Sequence, residues 1–396
     1  MTSTAILGSN QRLSLWRAPT LAAVSHFTLE LCHNFLPVLY PLLIVSMDLT
    51  YGQIGGIALV VTLLTSLPQP FLGFLSDRFG GYKVSALSIL WLGVLMSLVG
   101  FAPNYIIFAI LVGAASLGSS SYHPAGATIA FTLPPDSPVR RGLSMSIFSV
   151  GGNIGSALSP IVVAALLPWF GIHAALIFLP ITLIVSGLLY GQRPITWTGA
   201  ATAKGTTQGR EGDLLLTAII LLTLASMTRA WFQVSLMTYL PAWIESEGGT
   251  LVQASQMLSV LAFAIGGGSM LGGTWSDRVG TWRIAMISWL LIAPAFWLFM
   301  HSGGVMPYLA IALIGLCIGN TYPTTLLMGQ DCWPRRAAVS AGLIMGTGWA
   351  PGGLGAAVTG YMADQSSLTD SLMWLIVPPI LGCVFMLLWR VAYRRA

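Results

Sequence analysis

Apolar residues run along this chain in blocks of about twenty, separated by short clusters of Gly, Pro, Asp and Arg. A helix rises 1.5 Å per residue, so about 20 apolar residues cross the hydrocarbon of a bilayer. The pattern predicts twelve such helices, at 19–46, 53–75, 84–102, 105–130, 142–167, 171–191, 214–244, 252–275, 284–300, 306–328, 338–363 and 370–390. One long polar stretch, residues 192–213 (QRPITWTGAATAKGTTQGREGD), reads as a linker dividing the spans six and six. The expected fold is an all-α integral membrane protein of 12 transmembrane helices, with six-helix bundles at 1–191 and 214–396 in two pseudo-symmetric halves.

Composition agrees with the pattern. Of 396 residues 55% are hydrophobic and 7% charged, against about a quarter charged in soluble domains. A water-facing fold is excluded. Positions of the basic residues then test the span count. Arg12 and Arg17 precede span one, Arg78 and Lys83 follow span two, and Arg140 and Arg141 follow span four. Arg193, Lys204 and Arg210 follow span six, Arg278 and Arg283 span eight, Arg335 and Arg336 span ten, and Arg390, Arg394 and Arg395 end the chain. Sixteen of the 17 basic residues thus fall on one face, which the positive-inside rule makes cytoplasmic, together with both termini. A bacterial-type inner membrane is the expected location. The first apolar stretch has no small-residue cleavage site and reads as an uncleaved span. The net charge of +5 reports orientation, so no nucleic-acid partner is expected. The four cysteines form no CxxC cluster, so neither a disulfide framework nor a thiolate metal site is indicated.

The halves repeat. SDRFGGYK at 76–83 returns as SDRVGTWR at 276–283, GGNIG at 151–155 is answered by GGLG at 352–355, and FLP ending at Pro37 by YLP ending at Pro241. Two parallel repeats describe a transporter whose halves rock about a midplane site.

GFLSDRFGGYK at 73–83 resembles the loop motif of the major facilitator superfamily. SHFTLELCHNFLPVLYPLL (25–43), LPQPFLGFLSDRFG (67–80), SYHPAGA (121–127), VGGNIGSALSP (150–160) and TRAWFQVSLMTYLP (228–241) narrow the resemblance to its fosmidomycin-resistance-type efflux branch. It implies a proton-driven efflux carrier. It also implies that Gly73, Asp77, Arg78, Gly80 and Lys83, repeated by Asp277 and Arg278, form a cytoplasmic latch broken on opening. Gly151, Gly152, Gly155 and Pro160, with Gly352 and Gly355, fall where antiporters of the superfamily carry glycine-rich helices, and close helix packing explains them equally well. Two positions depart from the branch: Ala125 stands where an acidic residue is expected, and Glu30 where Asp is expected.

Two fixed charges lie within the predicted spans, Glu30 and Arg229. A charge at the bilayer centre costs about 2.5 to 3.5 kcal/mol on insertion scales. Counted from the cytoplasmic ends they lie roughly 17 and 22 Å deep, in corresponding helices of the two halves, and an ion pair between them is expected to bridge the halves. His26, Glu30 and His33 share one helical face, a spacing that suits a proton relay, a hydrogen-bonding role or a metal site. His123, before Pro124, is placed in the proton or substrate route. Substrate contacts are expected from Arg229, His33, His123, Trp231, Gln233, Tyr239, Asn320 and Tyr322, while helix-to-helix hydrogen bonding is the expectation for Gln69 and Asn153 and the competing one for Gln233 and Tyr239.

The expected function is a proton-coupled antiporter, not an enzyme, exporting a small anionic or zwitterionic compound, with phosphonate drugs among the candidates. Proton coupling is assigned to Glu30, His26 and His123. The partners are that substrate, protons and the lipid bilayer, the chain acting as a monomer without cofactor or metal. Proton-coupled uptake of a small carboxylate is the alternative on the same fold. An intramembrane metalloprotein using His26, Glu30 and His33 is the alternative of another class.

Overall fold

The computed structural model describes residues 9–133, 141–192, 215–334 and 337–395, and among these fifteen α-helices and no strand. The first are α1 (Ser9–His33), α2 (Leu36–Met47), α3 (Tyr51–Ser66), α4 (Gln69–Phe79) and α5 (Gly81–Ser97). Then come α6 (Tyr105–Phe131), α7 (Arg141–Phe170) and α8 (Phe178–Tyr190). The second half of the chain gives α9 (Leu216–Ser246), α10 (Leu251–Val279), α11 (Thr281–His301), α12 (Met306–Cys332), α13 (Ala337–Gln365), α14 (Leu368–Met373) and α15 (Val377–Arg395). The expected linker beyond Gln192, with Arg193, Lys204 and Arg210, lies outside the described residues, as do Arg140, Arg335 and Arg336.

Among the described residues nine continuous stretches are long and apolar enough to cross a bilayer, ten when the bent pair α3–α4 is one span. They do not map one to one on the predicted twelve. Gly142–Tyr190 is one stretch of 49 residues, far more than one crossing needs. Expected spans five and six both fall within it, joined by a 3-10 segment at Gly171–Ile177. Helix α13, expected span eleven, is not among the nine. Two predicted helices are broken by proline. Pro68 and Pro70 cannot donate to the helical ladder, and α3 and α4 meet at 43° there. Pro37 likewise offers no N–H to His33, and the chain turns at Asn34–Phe35.

The repeat is written into the caps. Thr50 with Gln53 and Thr250 with Gln253 form capping boxes at the starts of α3 and α10. Gly80 and Gly280 end the preceding helices with φ of 88° and 98°, which an L side chain resists. Within the first half α1 packs along α7 and α5 along α6 and α8; within the second, α9 packs along α13 and α15 and α10 along α12. The halves meet where α3 packs on α13, α7 on α10 and α2 on α9. Outward-facing Phe71, Ile106, Ile184, Leu290, Leu309 and Leu387 are each about half exposed or more, an apolar belt that suits lipid rather than water.

Candidate functional site: a polar cavity between the halves

Between these seams lies a cavity of about 520 Å³. His26, Glu30 and His33 on α1, Asn34 in the turn after it, Ser119 and His123 on α6, and Ser149, Asn153 and Ser156 on α7 form one polar wall. Gln233 and Met237 on α9, Tyr322 on α12 and Trp349 on α13 face it.

Glu30 is the carboxylate of this cavity. Its Oε1 lies 3.5 Å from His26 Nε2 and 3.6 Å from His123 Nε2. Its Oε2 accepts from Asn34 Nδ2 at 2.6 Å and Ser156 Oγ at 3.1 Å. The imidazole of His26 is oriented by its neighbours. Its ring stacks on Phe148 at 4.1 Å, and its Nδ1 lies 2.9 Å from the Phe148 carbonyl. A carbonyl only accepts, so the proton sits on Nδ1 and Nε2 is turned to Glu30. In neutral His26 a lone pair then faces a carboxylate; a second proton converts that contact into an ion pair. His123 completes the cluster, edge-on to His26 at 5.4 Å and with Nε2 3.3 Å from Ser119 Oγ.

The metal-type grouping read from the sequence is corrected here. The residues able to converge on one point are His26, Glu30 and His123, their ligand atoms within 4.8 Å of one another. His33, one further turn along α1, points its Nε2 into a buried site without a hydrogen-bond partner. Helical spacing put His33 on the correct face but could not show that α6 supplies the second imidazole.

The expected Glu30–Arg229 ion pair is also absent among the described residues. Arg229 is buried, with its guanidinium 3.8 Å from the Tyr322 ring and 6.0 Å from Trp349. Its Nε and Nη1 have no hydrogen-bond partner. Tyr322 lines the cavity and Arg229 does not; the Tyr322 hydroxyl donates to Gln233 Oε1 at 2.9 Å. Cation–π attraction stands in for the missing carboxylate, because Glu30 is already held by two imidazoles and two donors. Of the other expected substrate contacts, Gln233, Tyr322, His33 and His123 line the cavity, whereas Trp231, Tyr239 and Asn320 do not. Trp231 Nε1 donates to Thr359 at 3.3 Å, and Tyr239 donates to the carbonyls of Tyr51 and Ala356. Asn320 is buried beneath the wall with Oδ1 unpartnered. Gln69 does not line the cavity, but Asn153 does, beside Gly266 of α10.

The glycines set how closely the walls approach. A Cβ on Gly152 would enter the His26 ring, and on Gly151 and Gly155 it would meet the α1 backbone at Ala23 and Phe27. In the other half Gly352 and Gly355 do the same for α9 against Ala230 and Trp231. Pro160 is buried in α7, next to Ser159, which donates to the Leu31 carbonyl at 2.6 Å.

The two ends of the cavity differ. At the end away from the basic loops, Asp364 of α13 accepts from the backbone N–H groups of Tyr51 and Gly52, both at 2.8 Å, fastening the start of α3 to the other half. At the end of the basic loops, Asp77, Arg78, Asp277 and Arg278 are exposed, and none forms an ion pair among the described residues. Arg78 lies over its neighbour Phe79, Gly73 abuts Pro124, and Lys83 is exposed. Sequence reasoning missed Asp364, Asn34 and Ser156. The spacing of Ser149, Asn153 and Ser156, which puts them on one face of α7, was the available signal.

Helical fold, paired halves and a central polar cavity define a membrane transporter rather than an enzyme. The chain belongs to the Major Facilitator Superfamily, whose sequence profile matches residues 22–357. It is 28% identical over 371 residues to the fosmidomycin resistance protein of Escherichia coli K12, covering 91% of this chain and 89% of that one. It is 27% identical over 384 residues to YfnC, an uncharacterized MFS-type transporter of Bacillus subtilis 168, covering 93% and 91%. To SauU, a probable sulfoacetate transporter of Cupriavidus necator, it is 26% identical, covering 88% and 86%. Among solved structures, a bacterial homologue of the human lysosomal transporter Spinster superposes with a TM-score of 0.78 at 17% identity, over 98% of this chain and 99% of that one.

Proposed function

We propose that this chain is a proton-coupled antiporter that exports a small anionic or zwitterionic compound by alternating access. Two six-helix bundles, 1–191 and 214–396 joined by the 192–213 linker, rock about the cavity in the inner membrane, with the basic loops and both termini in the cytoplasm. The observation that carries the reading is the orientation of His26, whose Nε2 faces Glu30 at 3.5 Å and makes an attractive contact only with a second proton. A proton entering this cluster ties Glu30 to His26 and His123. A proton leaving it frees a negative charge in the cavity, so charge there is set by protonation.

Across the cavity, Arg229 is a buried cation with two unused donors behind Tyr322. An anionic substrate that displaces the Tyr322 ring gains those donors and offsets the buried charge. The resemblance to a fosmidomycin resistance protein favours a phosphonate-like substrate and export; the resemblance to a probable sulfoacetate transporter keeps a small sulfonate or carboxylate, and uptake, as the second reading. Opening on the far side is proposed to need the Asp364 bonds broken and the Asp77–Arg78 and Asp277–Arg278 motifs engaged. Reconstitution in vesicles with an imposed pH gradient tests the proposal. Substrate should move against its gradient when protons flow oppositely, and Glu30→Gln should uncouple the two. Equal rates with and without the gradient, unchanged in Glu30→Gln, would show that protons do not drive it.

A further inference from the structure

A second pocket, of about 410 Å³, opens where α11 starts and α15 ends, on the face of the basic loops. Arg283, Arg390 and Arg394 line it together with Trp282, Trp389 and Tyr393. No acidic residue lines it, and none of the three arginines has an ion-pair partner among the described residues. The aromatic walls are fixed in place. Trp282 Nε1 donates to the Met386 carbonyl at 3.2 Å, Trp389 Nε1 to Cys332 Sγ at 3.4 Å, and Trp389 stacks on Tyr393 at 4.7 Å. The Arg390 guanidinium lies 3.7 Å over the Trp282 ring, which aligns it without neutralising it.

Three uncompensated guanidiniums in one pocket suit a phosphate, which takes several charge-assisted bonds from arginine. What separates a lipid from a free anion is the surface beneath. Leu387 and Val391 on α15 and Ile287 and Leu290 on α11 are about half exposed, an apolar track leading from the pocket along the bilayer-facing side. Trp and Tyr at the polar boundary fit the headgroup level. We propose that this pocket binds the headgroup of an anionic phospholipid, its acyl chains lying against α11 and α15. The site is not a product of the repeat: Lys83 alone stands at the position of Arg283, and α8 ends at Tyr190, followed by Gly191 and by Gln192, which accepts from Arg17. It is also independent of the substrate and proton reading, since no residue of the cavity takes part.

Native mass spectrometry of the detergent-purified chain, offered phosphatidylglycerol or phosphatidylcholine, tests it. Wild type should retain phosphatidylglycerol preferentially. The variant Arg283→Ala/Arg390→Ala/Arg394→Ala should lose about tenfold in that retention, the size expected for one charge-assisted hydrogen bond. Arg12→Ala/Arg17→Ala/Lys204→Ala, which removes the same charge elsewhere, should lose little. Equal retention by the first variant, or equal loss in the second, overturns the site. Inorganic phosphate that displaces phosphatidylglycerol and raises Tm as much as a short-chain phosphatidylglycerol overturns the lipid in favour of a soluble anion. Arg394→Ala alone, an exposed side chain, gives the same comparison should the triple variant fail to fold.

Discussion

At the scale of single residues, the cavity is governed by which groups have partners and which do not. Glu30 has four, and removing its charge leaves His26 and His123 without a counter-ion inside the membrane. Glu30→Gln is expected to make transport insensitive to pH while leaving the fold intact, measured as substrate flux in vesicles across a pH series. Arg229 has aromatic neighbours and unused donors. Arg229→Ala is expected to weaken an anionic substrate by about 1.5 to 3 kcal/mol, roughly 10- to 150-fold in Kd, the usual range for a hydrogen bond to a charged group; calorimetry on purified protein checks it. Gly152→Ala places a methyl in the His26 ring, and overpacking of this kind costs about 1 to 3 kcal/mol. A lower Tm is expected, with pH dependence altered because His26 must shift away from Glu30. Much of this was legible early: two charges in apolar helices can be found by eye. Their partners were not, because Glu30 is satisfied by Asn34 in the turn that follows its helix and by Ser156 and His123 from elsewhere in the chain.

At the scale of elements, α1 and α7 are matched by α9 and α13, and in each pair glycines on the second helix admit the first. The fastening between α3 and α13 has no such symmetry. Asp364 holds two backbone donors at the start of α3, where the helix dipole also favours a negative group. Asp364→Ala is expected to loosen that end of the cavity. The measurement is labelling of a cysteine placed at Thr65 by an impermeant thiol reagent added from the far side, which should proceed faster in Asp364→Ala than in the parent. The duplicated SDR segments read as turns in the sequence, but Ser76–Arg78 and Ser276–Arg278 form the last turns of α4 and α10, and the chain turns only after them, at Gly80 and Gly280 with matching positive φ. That Asp364 would meet Tyr51 and Gly52 was not legible, since 312 residues separate it from Gly52.

At the scale of the whole molecule, the positions of the basic residues predict that both ends of the chain lie in the cytoplasm. A fluorescent protein fused after Ala396 should therefore fold and fluoresce, and a phosphatase that is active only outside should stay inactive there. The amino-acid pattern alone carries the solvent and the class: with 7% of residues charged, backbone groups in lipid have to be paired within helices, and segments repeated 200 residues apart predict two like halves. It also marked the glycines and the paired loop motifs. It took the packed helices to show that Glu30 pairs with histidines rather than with Arg229, that Arg229 is covered by Tyr322, that one end of the cavity is fastened by Asp364, and that α11 and α15 bring three arginines together. Periodicity constrains which residues share a face of one helix. Which faces meet depends on how helices far apart in the chain pack, and a buried charge takes whatever partner that packing delivers.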